Sequence, residues 1–288
     1  MNQTKKSSRS MLITSMCIFG TIGILRRFIP LSSSLVALVR GIVGCLFLTA
    51  IVVLRRQKFD RAAIRQNFWL LLISGAAIGF NWIFLFEAYN YTSVATATLC
   101  YYLAPILVIL ASPLVLKEAL TLKKGLCALT ALVGMVLVSG ILETGFTGLA
   151  ELKGILLGLG AALLYASVIL MNKKMRPIPA YDKTIFQLAA ASLSLLPYVL
   201  ATENWAQITV TPLSLVLLLV AGVVHTGLAY WMYFGSMDGL KAHTVALFSY
   251  IDPILAIILS MVVLQEPMGI PAAIGAVLIL GAAYISEK

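Results

Sequence analysis

Long apolar runs separated by short polar or charged segments make up nearly the whole chain. An α-helix needs about 20 apolar residues to cross a bilayer, and many of these runs have that length. The stretch from Gln66 to Leu116 contains a single charged residue, Glu87, and it is long enough for two crossings. We therefore predict ten transmembrane helices, at 11–28, 34–54, 67–88, 94–115, 123–141, 153–171, 183–201, 213–234, 243–264 and 268–286.

The chain contains an internal duplication. Residues 99–118, LCYYLAPILVILASPLVLKE, align without a gap on residues 247–266, LFSYIDPILAIILSMVVLQE. The alignment superimposes Tyr102 on Tyr250, Pro105 on Pro253, and Glu118 on Glu266. A Tyr-x-x-Pro followed at a fixed distance by Glu is rarely repeated by chance, so it indicates a repeat.

The two repeat units are predicted to lie in the membrane in opposite orientations. Residues 1–148 and 149–288 each hold five predicted spans, and because five is odd the second unit enters the membrane from the other side. Inverted repeats of this kind recur in secondary transporters. The predicted fold class is an all-α polytopic membrane protein with ten transmembrane helices, arranged as two inverted five-helix repeats.

Composition and charge agree with a membrane protein of defined orientation. The chain is 61% hydrophobic and 11% charged, against about 25% charged residues in soluble domains. Most of its 21 Lys and Arg residues fall on one side of the predicted bilayer, which places both termini in the cytoplasm and the protein in the cell membrane. The net charge of +10 does not indicate a nucleic-acid partner, because the basic residues form short clusters between apolar runs.

Asp252 and Arg40 are ionisable residues within predicted spans. A charge near the middle of a bilayer costs about 2.5 to 3.5 kcal/mol on insertion scales, and such groups usually face a cavity or a partner. Asp252 is either a proton-coupling carboxylate or a partner for a cationic substrate group, or it has a structural role as an ion-pair partner or as a cap on the backbone freed by Pro253. Arg40 binds a substrate carboxylate, pairs with Asp252, or extends toward the interface.

The repeated Tyr and Pro residues are candidates for the transport pathway. Pro105 and Pro253 lack the N–H that closes a helical turn, so each is predicted to act as a hinge or as a packing kink. Tyr102 and Tyr250 lie three residues earlier on the same helix face and are expected to meet in one cavity. The remaining cavity candidates, each of which could also be a core or lipid-facing residue, are Trp82, Thr98, Tyr101, His225 and Tyr230.

The sequence offers no motif of an enzyme. Hydrolase, zinc-protease, phosphate-binding and dinucleotide-binding signatures are all missing, and the four cysteines lie in apolar runs without metal-type spacing. We predict neither a cofactor nor a metal. Glu118 and Glu266 follow the repeated helices and suggest helix-end or loop-locking roles, while glycines in the fifth and tenth spans suggest a scaffold or a homodimer face.

The chain resembles the EamA-type branch of the drug/metabolite transporter superfamily. The resemblance covers nearly the whole sequence and rests on FGTIGILRRFIP with Arg40, FEAYNYTSVATATLCYYLAPILVIL through Glu118, GVVHTGLAYWMYFGSM, and SYIDPILAIILSMVVLQEP. It implies ten helices, two inverted repeats, cytoplasmic termini, and a central cavity formed mainly by the first four helices of each half.

The function implied by this resemblance is secondary transport of small organic metabolites. We expect an exporter of amino acids or related compounds that works by alternating access, with protons as a candidate coupling ion. A facilitator or an importer is the alternative within transport. An intramembrane enzyme is the alternative from another class, but one Asp with scattered His residues is little support for it.

Overall fold

The computed structural model describes residues 2–117, 121–138, 148–237, 248 and 251–287. Every regular element in these residues is helical. The α-helices are α1 (Asn2–Gly20), α2 (Ile22–Arg27), α3 (Ser33–Leu54), α4 (Arg61–Gln66), α5 (Phe68–Tyr91), α6 (Val94–Tyr101), α7 (Ala104–Val115), α8 (Leu122–Val138), α9 (Leu149–Lys174), α10 (Ala180–Thr202), α11 (Pro212–Val220), α12 (Ala229–Met237), α13 (Ile251–Val263) and α14 (Ile270–Glu287). A π-helix, Ala221–Leu228, joins α11 to α12, and a 3-10 turn spans Trp205–Gln207.

Seven helical segments within the described residues are long and apolar enough to cross a membrane. They are Ser8–Arg27, Ser33–Leu54, Phe68–Tyr91, Val94–Val115, Leu149–Lys174, Ala180–Thr202 and Pro212–Tyr233. The chain is therefore an all-α polytopic membrane protein. The three other predicted spans overlap α8, α13 and α14, which are not among these seven segments, so the count of ten and the inverted repeat stay predictions.

In the part of the chain that the structure describes, three of the predicted spans are not single regular helices. The first divides at Thr21, the fourth divides between Tyr101 and Ala104, and the eighth contains the π-helix. In the fourth span, Pro105 is the second residue of α7, a position where its missing N–H breaks no intrahelical hydrogen bond. Pro253 occupies the first turn of α13, where the same reasoning applies. Whether either proline acts as a hinge stays a prediction.

The helices form a bundle with two distinct ends. At one end the backbone N–H of Asp60 donates to the carboxylate of Asp182, over 2.8 Å. At the other end Arg27 Nη2 donates to the carbonyl oxygen of Thr92, over 2.9 Å. We call these the Asp182 end and the Arg27 end. The helices that run between them include α5, which packs against α9 and α10, and α3, which packs against α10 and the π-helix.

α8 and α14 pack chiefly against each other. A Cβ added at Gly134 of α8 would lie 2.7 Å from the carbonyl oxygen of Gly275 in α14. Because neither glycine has a side chain, the two backbones can approach closely. Both glycines lie in the helices that were predicted to form a scaffold or a homodimer face. In this structure they contact each other within one chain.

Candidate functional site

A cavity of about 460 Å³ lies inside the bundle, between helices of both halves of the chain. Its volume is in the range of sites for small organic molecules. Seven of the residues singled out from the sequence contribute to its wall: Arg40, Trp82, Thr98, Tyr101, Tyr102, Tyr230 and Asp252. Tyr250 and Glu118 lie outside the described residues, as does the side chain of Pro105.

Arg40 is held by polar and aromatic contacts. α3, which carries it, begins at the N-cap Ser32, whose hydroxyl accepts a hydrogen bond from the N–H of Leu35. Arg40 is buried, and its Nε donates to Thr226 Oγ1 over 3.1 Å. Its guanidinium carbon lies 4.4 Å from the ring centroid of Trp82, a distance typical of a cation–π contact.

Asp252 makes a contact that joins the two halves of the chain. The hydroxyl of Tyr102 donates to Asp252 Oδ2 over 2.7 Å, although the two residues are 150 positions apart in sequence. No ion pair joins Arg40 to Asp252 among the residues that the structure describes, so the two side chains are not paired in this conformation. The structural pairing considered for Arg40 is therefore not found. A cation and a carboxylate instead contribute separately to the wall of one cavity.

Tyrosines form a large part of the cavity wall. The ring centroids of Tyr101 and Tyr165 lie 5.3 Å apart, as do those of Phe19 and Tyr230. Tyr89, Tyr165 and Tyr233 also line the cavity, and sequence reasoning did not select them. Tyr233 could have been found, because it lies three residues after Tyr230 and so on the same helix face. Tyr165 is a lone tyrosine in an apolar run and gave no such signal.

Polar side chains line the cavity toward the Asp182 end. Asn172 and Lys183 are near the last turn of α9 and the first turn of α10, respectively, and both belong to the wall. Gln187, which also lines the cavity, donates to Asn172 Oδ1 over 2.8 Å and to Ser74 Oγ over 2.7 Å. The lining therefore extends almost to this end of the bundle.

At the Arg27 end, Glu266 ties together segments from three parts of the chain. Its carboxylate accepts from Arg27 Nη2 over 2.7 Å and from the backbone N–H of Val94, the first residue of α6, over 2.9 Å. The hydroxyl of Ser260 also donates to it. The contact joins α2, α6 and the segment after α13. The loop-locking role suggested for Glu266 stays a prediction.

His225 is buried in the π-helix and is not part of the cavity wall. Its Nε2 lies 2.8 Å from Thr21 Oγ1, and its Nδ1 lies 3.3 Å from the carbonyl oxygen of Val220. These contacts connect the π-helix to the junction between α1 and α2. His225 thus differs from the other candidates, because its ring is engaged between helices and not at the cavity.

Comparison with known proteins places the chain in a family. The EamA-like transporter family matches residues 7–140 and 152–287. The chain is 29% identical to the uncharacterized transporter YxxF of Bacillus subtilis over 91% of its own length and 83% of that protein. It is 26% identical to protein PecM of Dickeya dadantii, over 76% and 73% of the two chains.

A solved crystal structure has the same fold. It superimposes with a TM-score of 0.68 over 97% of each chain, at 20% sequence identity, which is evidence of fold alone. The family match covers nearly the whole sequence and confirms the resemblance described above. The chain belongs to the EamA-like transporter family, within the drug/metabolite transporter superfamily.

Proposed function

We propose that this chain is a secondary transporter that exports amino acids or related zwitterionic metabolites by alternating access. Membership of a transporter family supports transport of a small molecule across a bilayer. The substrate class is our inference from the cavity. It rests chiefly on Arg40 and Asp252, a cation and a carboxylate that line the same cavity without pairing with each other.

An α-amino acid matches these two groups. Its carboxylate is the natural partner of a guanidinium, which can donate two parallel hydrogen bonds. Its ammonium group can donate to Asp252 in addition to, or in place of, the hydroxyl of Tyr102. The aromatic wall offers apolar surface and π faces for the substrate's side chain.

Asp252 also supports proton coupling as part of the proposal. A carboxylate that binds an ammonium group on one side of the membrane can bind a proton once that group has left. Substrate and proton then occupy the same carboxylate in alternation, and their fluxes run in opposite directions. This exchange would use the proton gradient to drive export.

The arrangement of the two ends supports loading from the cytoplasm. Glu266 ties the Arg27 end together, whereas the cavity lining extends toward the Asp182 end. The distribution of Lys and Arg supports a cytoplasmic position for the Asp182 end and for both termini. In this proposal the structure corresponds to an inward-facing state. The outward-facing state arises when the two repeats, 1–148 and 149–288, exchange their conformations.

Two measurements test the proposal. Purified protein is screened by thermal shift against amino acids, nucleosides, sugars and polyamines, and each amino acid is accompanied by its amide and its N-acetyl derivative. A free amino acid should raise the unfolding temperature more than either derivative, because a ligand that binds the folded state stabilises it. Stabilisation by another class alone would overturn the substrate class. Flux in proteoliposomes that does not respond to a pH gradient would identify a facilitator instead.

Thiol labelling tests the proposed topology. Cysteines placed in 203–211 should react with an impermeant reagent added to intact cells, whereas those placed in 174–182 should not. The reverse pattern would contradict the proposed orientation. Labelling of both segments would contradict a membrane crossing by α10, which separates them.

A further inference from the structure

We infer that Thr226 is a positioning residue for substrate binding, which fixes the Arg40 guanidinium so that its two terminal nitrogens face a carboxylate. This inference rests on the proposed function. It names a residue that the sequence did not single out and that does not itself line the cavity. Thr226 is fully buried, and its contact with Arg40 joins the two halves of the chain.

The hydrogen bonds around Thr226 have a defined direction. Its hydroxyl donates to the carbonyl oxygen of Ala221 over 3.0 Å, which leaves an oxygen lone pair to accept from Arg40 Nε over 3.1 Å. The acceptor lies five residues earlier in the chain because Ala221–Leu228 is a π-helix. A threonine in an ordinary α-helix bonds three or four residues back, so the π-helix sets where this hydroxyl points. Such helices occur frequently at functional sites.

Close packing between α3 and the π-helix leaves Thr226 little freedom to move. A Cβ added at Gly44 would lie 2.8 Å from Thr226 Cβ, and one added at Gly222 would lie 2.5 Å from Val43 Cβ. The two helices therefore approach at glycines, where no side chain separates them. Gly44 lies one turn after Arg40 on the same face of α3, so the close contact is adjacent to the guanidinium.

The geometry selects one edge of the guanidinium. Arginine can offer a carboxylate either its Nε and one terminal nitrogen or both terminal nitrogens. Thr226 occupies Nε, while the rings of Trp82 and Phe86 lie 4.4 and 5.2 Å from the guanidinium carbon. Within the described part of the chain, no residue accepts a hydrogen bond from the terminal nitrogens. The edge formed by these two nitrogens is thus the one left for a substrate carboxylate.

Substitutions at Thr226 separate this role from packing. Thr226→Val keeps the shape and removes the hydroxyl, whereas Thr226→Ser keeps the hydroxyl. Dissociation constants are measured on the full-length protein for the twenty common L-amino acids and for their amides. The amino acid that binds most tightly, called the acid below, is then compared with its own amide. Thr226→Val should weaken binding of the acid about tenfold or more, because a guanidinium that is no longer held at Nε loses a charge-assisted hydrogen bond to the substrate carboxylate, and it should weaken binding of the amide less than about threefold. Thr226→Ser, which keeps the hydroxyl, should retain the preference for the acid over the amide.

Three controls make the outcome decisive. Thr49→Val removes a hydroxyl from the same helix as Arg40, where it donates to Cys45 and not to the arginine, and it should leave the ratio of acid to amide binding unchanged. Thr226→Ala replaces Thr226→Val if the latter does not fold. Arg40→Gln should abolish the preference for the acid.

The results distinguish failure of the proposed function from failure of the positioning role of Thr226. If no amino acid binds, or if Arg40→Gln retains the preference for the acid, the proposed function fails and the role of Thr226 fails with it. If Arg40→Gln abolishes the preference but Thr226→Val keeps it, or if Thr226→Val weakens the acid and the amide equally, only the positioning role is overturned.

Discussion

The hydrogen bond between Tyr102 and Asp252 should contribute measurably to stability, by an amount that depends on the charge of the carboxylate. The two side chains come from different halves of the chain and meet at 2.7 Å in the cavity wall. Tyr102→Phe removes the donor, and Asp252→Ala removes the acceptor. A double-mutant cycle over the two changes isolates the energy of the contact from the other effects of each substitution.

The expected coupling energy follows from the nature of the acceptor. A hydrogen bond to a charged group contributes about 1.5 to 3 kcal/mol, whereas one between neutral groups contributes about 0.5 to 1.5 kcal/mol. We expect the larger value at high pH, where the carboxylate is ionised, and the smaller value at low pH, where it is protonated. The pH at which the coupling energy changes is therefore the pH at which Asp252 binds a proton in the folded protein.

The measurement is equilibrium unfolding in mixed detergent micelles across a pH series. The matched control is Tyr101→Phe, because Tyr101 is the adjacent cavity tyrosine and has no hydrogen bond to Asp252 among the described residues. Its coupling to Asp252→Ala should stay within about 0.5 kcal/mol. A coupling energy for Tyr102 that is equally small at every pH would refute the contact. A large but pH-independent value would refute the titration of Asp252 over that range.

Three further predictions concern coupling, closure and packing. Asp252→Asn should bind substrate more weakly, because an amide oxygen is a weaker partner for an ammonium group than a carboxylate, and it should still exchange substrate yet lose accumulation driven by a pH gradient; unchanged accumulation in proteoliposomes would contradict proton coupling at this residue. Arg27→Gln and Glu266→Gln should each loosen the Arg27 end, so that an impermeant thiol reagent added there modifies a cysteine in the cavity faster than in the parent protein; equal rates would count against this contact as the closure. Gly44→Ala should lower the unfolding free energy by about 1 to 3 kcal/mol through overpacking against the π-helix, whereas Gly125→Ala, which has open space around it, should cost nothing, as measured by detergent unfolding.

The class of the protein and the positions of its helices could be predicted from the sequence. A bilayer offers no water to backbone N–H and C=O groups, so an apolar run long enough to cross it must be helical. The same physics drew attention to Arg40 and Asp252, because a charged group inside an apolar run is costly unless its surroundings compensate for it. These inferences depend on local composition alone, and they hold whatever the neighbouring helices are.

Only the tertiary structure decided which of these groups meet. Opposite charges favoured a pair between Arg40 and Asp252, yet Arg40 contacts Thr226 and Asp252 contacts Tyr102. His225 was a cavity candidate from the sequence, but its ring is engaged by Thr21 in the bundle interior. Each of these contacts joins residues at least 150 positions apart. Contacts over such distances depend on which helices are adjacent and how each is rotated about its axis, and the π-helix shifts that rotation in a way that apolar periodicity does not encode.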